Sequence, residues 1–248
     1  MLDFDRTVGT HGLVEAAHRT GRHYVQEVRV LGADLLPASA FLALSNHPGL
    51  TDTLALFTAL NRADLKIIAL NRPFLLSLPN LSKQLTYVTD DPHERVSLVR
   101  RVSAHLRAGG AALTFPAGHI EPDPDVYPGA LDSLKDWTDS VGVFIRLAPE
   151  TAIVPVLVRG VIWDRTAHHP VVKLKKGKEE REKLAAALQL LGMVVFNARP
   201  VTVTVQIGNP ITVRELGSSD TLVIHQAVLK EMQRLIGNPS QGKDASAL

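Results

Sequence analysis

The sequence predicts an α/β fold: a mostly parallel central sheet flanked by helices. Three observations carry this prediction. Short apolar runs alternate with amphipathic stretches of ten or more residues, the pattern of strands joined by helical crossovers. Turn signals such as Pro48-Gly49 and Gly109-Gly110 separate them. The 248 residues, 45% hydrophobic, are ample for one core. Residues 1–238 are expected to form a single domain, and 239–248 a small, polar, mobile tail.

Taken in order, residues 12–24 read as a helix, with Leu13, Ala16, Ala17 and Tyr24 on one face and Glu15, Arg19 and Arg22 outside. Val25, Val28 and Val30 mark a half-buried strand over 24–30, and Gly32-Ala33-Asp34 turns the chain. Residues 41–44 are a buried strand, 51–60 a helix and 65–70 a strand. A broken helix over 74–85, interrupted at Pro79-Asn80, leads to a strand at 85–88. Residues 92–108 read as a helix with Val96, Val99, Val102 and Leu106 as its inner stripe, closed by Gly109-Gly110. A buried strand at 111–115 ends at Pro116-Ala117-Gly118. A helix over 139–147, a buried strand at 153–158, a helix over 177–196, an alternating strand at 201–207 and a helix over 221–236 complete the order.

Composition excludes several classes. The net charge of +2 and the lack of a basic run or basic–aromatic alternation argue against nucleic acid as a partner. The absence of cysteine removes disulfides, thiolate metal sites and Cys nucleophiles, and suits a reducing compartment. The first residues lack a secretory pattern, and the longest apolar stretch, 184–196, falls short of the about 18 residues that a spanning helix needs. The expected location is the cytoplasm, with the chain soluble or peripheral on the inner face of the membrane.

The most informative stretch is Asn46-His47-Pro48-Gly49-Leu50-Thr51-Asp52, directly after the apolar run Phe41-Leu42-Ala43-Leu44. Residues five apart in a helix lie about 140° apart around its axis, so His47 and Asp52 cannot meet if both are mid-helix. They meet if His47 stands on a loop and Asp52 lies in the first turns of the helix. Pro48-Gly49 favours that arrangement. Asp52 then accepts from one imidazole nitrogen and leaves the other to take a proton. Asn46 is placed to tie down the loop through its amide. With no Gly-x-Ser-x-Gly elbow in the chain, the economical nucleophile is a hydroxyl brought by the substrate. A second segment, Phe115-Pro116-Ala117-Gly118-His119-Ile120-Glu121-Pro122-Asp123, follows a buried strand, and its turn can expose N–H groups to an anion.

In this order the segments resemble the glycerolipid acyltransferase family, the PlsC-like or 1-acylglycerol-3-phosphate acyltransferase-like domain. Asn46-His47-Pro48-Gly49-Leu50-Thr51-Asp52 matches the family's Asn-His-x4-Asp block. Phe115-Pro116-Ala117-Gly118 matches part of its Phe-Pro-Glu-Gly block, and Ile153-Val154-Pro155-Val156 its Val-Pro-Val/Ile block. The stretch Val203-Thr204-Val205-Gln206-Ile207-Gly208-Asn209-Pro210-Ile211 is similar to its last strand and Gly-x-Pro-Ile. The likeness spans about residues 25–235. Ala117 stands in place of the family's Glu and Ile120 in place of its Arg, both associated with the glycerol-phosphate acceptor; Arg95 is a loose substitute for the middle-block arginine.

The resemblance implies acyl transfer from a thioester, acyl-CoA or acyl carrier protein, to a lipid acceptor hydroxyl, without a cofactor or metal. It implies His47 and Asp52 as catalytic residues, and Asn46, Arg95, Phe115, Pro116, Gly118, His119 and Glu121 as substrate-binding residues. Arg72, Lys83, Arg95, Arg100 and Arg101 are candidates to meet the donor's negative charge, and the lysine-rich 173–178 to meet a membrane surface. Two rivals stand beside this reading. One is a metal-dependent hydrolase using His47, Asp52, His119 and Asp123. The other is a non-catalytic lipid-binding domain of the same fold.

Overall fold

The structure, a computed structural model, describes residues 2–49, 51–174, 177–196, 198, 201–238 and 244–246. Helices α1 (Leu2–His11) and α2 (Leu13–Tyr24) lead into strand β1 (Glu27–Leu31). Strand–helix units follow: β2 (Phe41–Ser45), α3 (Thr51–Leu60), β3 (Lys66–Leu70), α4 (Pro73–Leu76), β4 (Leu85–Val88), α5 (Pro92–Arg107) and β5 (Ala111–Thr114). Short helices α6 (Ala130–Ser133) and α7 (Val141–Leu147) precede β6 (Ala152–Arg159). An excursion of α8 (Asp164–Ala167), α9 (Pro170–Lys173) and α10 (Lys178–Phe196) leads to β7 (Thr202–Ile207), α11 (Val213–Leu216), α12 (Thr221–Gly237) and β8 (Asp244–Ser246).

The strands form one sheet in the order β4-β3-β5-β2-β6-β7-β1-β8. The first five in that order run parallel, as strand–helix alternation requires. β7 is antiparallel to β6 and parallel to β1, and β8 pairs antiparallel with β1. Of the tail expected to be mobile, 239–243 and 247–248 lie outside the described residues, while 244–246 form β8.

β2 is buried along its whole length because helices cover both faces of the sheet. Phe41 and Ala43 pack with α1, α2 and α3 on one face. Leu42 and Leu44 pack with α5, α7 and α12 on the other. The period of two along a strand produces that division.

One helix was not foreseen, and two expectations need correction. α1 carries no strong apolar signal in sequence, yet it buries Phe4 and Val8, and its Asp5 accepts from the N–H groups of Asn80 and Leu81. The first strand begins at Glu27 because α2 keeps its last turn through Tyr24. In α5 the buried stripe includes Leu98, Val102 and Leu106, whereas Val96 is 51% exposed. Leu98, Val102 and Leu106 are four apart and share a face; Val96 lies about 200° around the axis from Leu98.

Candidate active site

β2 lies between β5 and β6, so the loops leaving all three strands share the carboxyl edge of the sheet. Ligands in open α/β sheets bind beyond that edge. The first residue beyond β2 is Asn46, buried, with both ends of its amide engaged. Its Nδ2 donates to Val158 O at 2.9 Å, and its Oδ1 accepts from Val158 N at 2.8 Å. Asn46 was expected to contact substrate; it instead clips the end of β2 to β6, because a buried amide is stable only with its hydrogen bonds made.

His47 follows, on a loop, and α3 starts at Thr51, so Asp52 falls in the first helical turn. The two side chains meet: Nδ1 of His47 lies 2.6 Å from Oδ2 of Asp52. Asp52 is fully buried and also accepts from the Gly49 N–H at 3.1 Å and from the Thr53 N–H and hydroxyl. With the Asp52 carboxylate accepting at Nδ1, that nitrogen carries the proton and Nε2 keeps a lone pair. The His47 side chain remains 27% exposed, and among the described residues nothing bonds Nε2. The Phe115 ring packs against the imidazole at 4.7 Å between centroids, tilted by 36°. Burial pulls the His47 pKa down, but the charge and hydrogen bond of Asp52, with the charge of Glu121, more than offset it, so the net shift is upward.

Glu121 lies under this loop, 2% exposed. Its Oε2 accepts from the His47 N–H at 3.1 Å, and its own N–H donates to the His47 carbonyl at 2.9 Å. Its Oε1 accepts from the Trp137 indole at 2.8 Å and the Ser133 hydroxyl at 3.1 Å. Burial raises its pKa; the three donors pull the other way, more weakly. Glu121 was assigned to substrate, but at 2% exposure and with three protein donors already on it, its carboxylate is turned into the protein. Trp137 and Ser133 went unnoticed in the sequence, because sites 16 and 12 residues from Glu121 follow no helical or strand period.

The remaining candidates scatter. Asp123 is fully buried and accepts the N–H groups of Asp125, Gly160, Val161 and Ile162, with its pKa raised by burial. It fastens the loop after β6. His119 is half-exposed and faces Asp136 at 3.5 Å. The proposed ligand set of His47, Asp52, His119 and Asp123 fails on this donor arrangement, since Asp123 is saturated by backbone amides. Among the described residues, no group of three or more His, Asp or Glu side chains is placed to hold a metal. Gly118 takes a positive φ of 70°, and its N–H closes the turn onto Phe115 O, so it is not offered to a ligand. The Pro116 carbonyl accepts from Thr138 N–H. Arg95 is exposed and bonds Asp90 and Thr89 O beyond β4. β4 is three strands from β2, about 14 Å at ordinary strand spacing.

Two further features frame the crevice. Gln189 of α10 accepts from Trp163 N–H at 2.7 Å and donates to Val161 O at 2.8 Å, tying the helix to the loop after β6. A Cβ at Gly49 would stand 3.0 Å from Val161, so this loop abuts the turn that bears His47. A polar groove of about 400 Å³, lined by Asn71, Tyr87, Thr89 and Arg101 among others, opens on the same sheet edge. A cavity of about 340 Å³ beside Ile211, Lys230 and Arg234 lies toward the opposite edge, remote from His47.

Fold and site together define an α/β protein with an imidazole–carboxylate pair at the carboxyl edge of a parallel sheet. No protein-family model and no curated protein matches the chain. Among solved structures, its fold is similar to that of the 1-acyl-sn-glycerophosphate (LPA) acyltransferase PlsC from Thermotoga maritima. The TM-score is 0.55 at 18% sequence identity, covering 95% of this chain and 83% of that one. The fold class expected from the sequence is thus the fold observed.

Proposed function

We propose that the chain is an O-acyltransferase that moves a fatty acyl group from a thioester, acyl-CoA or acyl carrier protein, to a hydroxyl of a lysophospholipid or glycerol-phosphate-like acceptor in phospholipid biosynthesis. The observation that carries the reading is the buried Asp52 holding Nδ1 of His47 at 2.6 Å while Nε2 stays open. In this mechanism Nε2 takes the acceptor's hydroxyl proton as its oxygen attacks the thioester carbonyl. The C–S bond breaks, and the departing thiolate takes the proton back from the imidazolium. No acyl-enzyme is needed, which accords with a chain without cysteine.

The groove at Asn71, Thr89 and Arg101 offers polar groups to a phosphate-bearing part of donor or acceptor. Ile120, exposed at 48%, gives no charge where the resembling family has arginine, so the acceptor's phosphate is not held there. On α10, Ala187, Leu190, Leu191 and Val195 are exposed on one side of the helix, close in sequence to the lysine-rich 173–178, of which 175 and 176 lie outside the described residues. Such a face suits peripheral contact with an anionic bilayer. Among the described residues, no helix is long and apolar enough to cross a membrane.

The test is to incubate the protein with acyl-CoA and a mixed lipid extract and to identify by mass the species that gains an acyl group. The expected result is one lipid class acylated with free CoA released, and neither with His47→Ala. CoA release without an acylated lipid makes the protein a thioesterase, and no CoA release makes it a non-catalytic lipid binder.

A further inference from the structure

We infer that Glu121 is a positioning residue for His47: a second buried carboxylate that locks the backbone of the base and sets the basicity of its ring. The inference rests on the reading of His47 as the base. It begins with a departure: Ala117 removes the acid that the resembling Phe-Pro-Glu-Gly block carries, and this chain places an acid four residues later instead.

The geometry gives that acid a defined task. Glu121 bonds the His47 backbone in both directions: its carboxylate accepts from the His47 N–H at 3.1 Å, and its own N–H donates to the His47 carbonyl at 2.9 Å. The two residues are 74 apart in sequence, so this lock joins the loop after β2 to the loop after β5. Trp137 and Ser133 hold the other carboxylate oxygen from behind. All three groups around Glu121 donate, the arrangement that suits an ionised carboxylate, which has no proton of its own to place. A glutamine of the same shape must turn its NH₂ toward one of those donors. The three donors favour the charged form against the burial that raises the Glu121 pKa.

The Glu121 charge adds to the upward shift of His47. The other ionisable groups on the surrounding elements are Asp52 on α3, Asp123, which is taken up by four backbone N–H groups, His119 paired with Asp136, and the exposed pair Asp132–Lys135. None of the latter four bonds His47. A base with two carboxylates behind it holds its proton more firmly and takes it from the acceptor more readily.

The experiment is Glu121→Gln in the full chain, read by titration of the His47 ring in NMR without substrate and by the pH dependence of kcat/KM. The expected result is a lowered His47 midpoint, the effect of losing one nearby charge that does not bond the ring itself. The acid limb of the rate profile moves down with it. A folded Glu121→Gln protein whose His47 midpoint is unchanged or raised overturns the inference. If Glu121→Gln does not fold, the wild-type protein decides by the Glu121 side-chain carboxyl signal. A carboxylate ionised throughout the His47 titration upholds the inference, and a neutral Glu121 at pH 7 overturns it. The titrations need no turnover, so they stand apart from the acyl-gain assay, whose failure would remove the acyltransferase reading alone.

Discussion

Asp52 and Asp123 are both fully buried and both fasten loops at the carboxyl edge of the sheet. Asp123 is taken up by four backbone N–H groups, three of them from the loop after β6. Asp52 also accepts backbone N–H groups, but keeps Oδ2 against an imidazole whose far nitrogen is open. The difference teaches that burial of a carboxylate says little about chemistry. What matters is whether one of its partners is a group that can pass a proton on to something outside the protein.

Substitutions sharpen or break that contrast. The largest effect is expected at the imidazole pair. His47→Ala and Asp52→Asn should each cost about 10²–10⁴ in turnover. Midpoints of urea unfolding should stay near wild type for His47→Ala. Turnover within a factor of a few of wild type in either folded variant would strip the pair of its assigned role. Next comes Asp123→Ala, which strands four N–H donors. It should lower unfolding stability by about 4 kcal/mol or more, at about 1–3 kcal/mol for each donor left unpaired in the interior. A stable Asp123→Ala protein with abolished turnover would erase the distinction between the two aspartates.

The smallest effect is in pH dependence. In the proposed mechanism the neutral imidazole is the working form, and the His47 pKa is raised, so the acid limb of kcat/KM should lie above the ordinary histidine value of 6.5. The folded-state increase also means that His47 adds stability below pH 6.5, which fades as pH rises through its folded pKa. Asp123, raised from 3.8 by burial, behaves alike in its own acid window: its contribution is full below 3.8 and is lost as pH rises through its folded pKa. Asp123→Asn should flatten stability in that acid range and leave the His47 range untouched; the reverse pattern would show that the titrating groups had been assigned the wrong way round.

Much of this was legible in the sequence. The parallel core of the sheet follows from alternating apolar runs and amphipathic stretches. The His47–Asp52 meeting follows from Pro48-Gly49 setting the start of α3 between them. What was not legible is long-range. The roles of Asn46 and Glu121 depend on Val158, Trp137 and Ser133, and polar contacts between loops leave no periodic mark. The antiparallel setting of β7 was hidden too, since alternation within a strand is blind to its direction. α1 escaped notice because two buried side chains, Phe4 and Val8, are too few to make a stripe.

The amide clip between Asn46 and Val158 spans 112 positions. A growing or refolding chain therefore brings imidazole and carboxylate within reach of one another long before it has the strand that closes their chamber. Low-separation contacts form early and distant pairings late. The pair thus waits for the last wall, and a half-made molecule has no walled crevice around it.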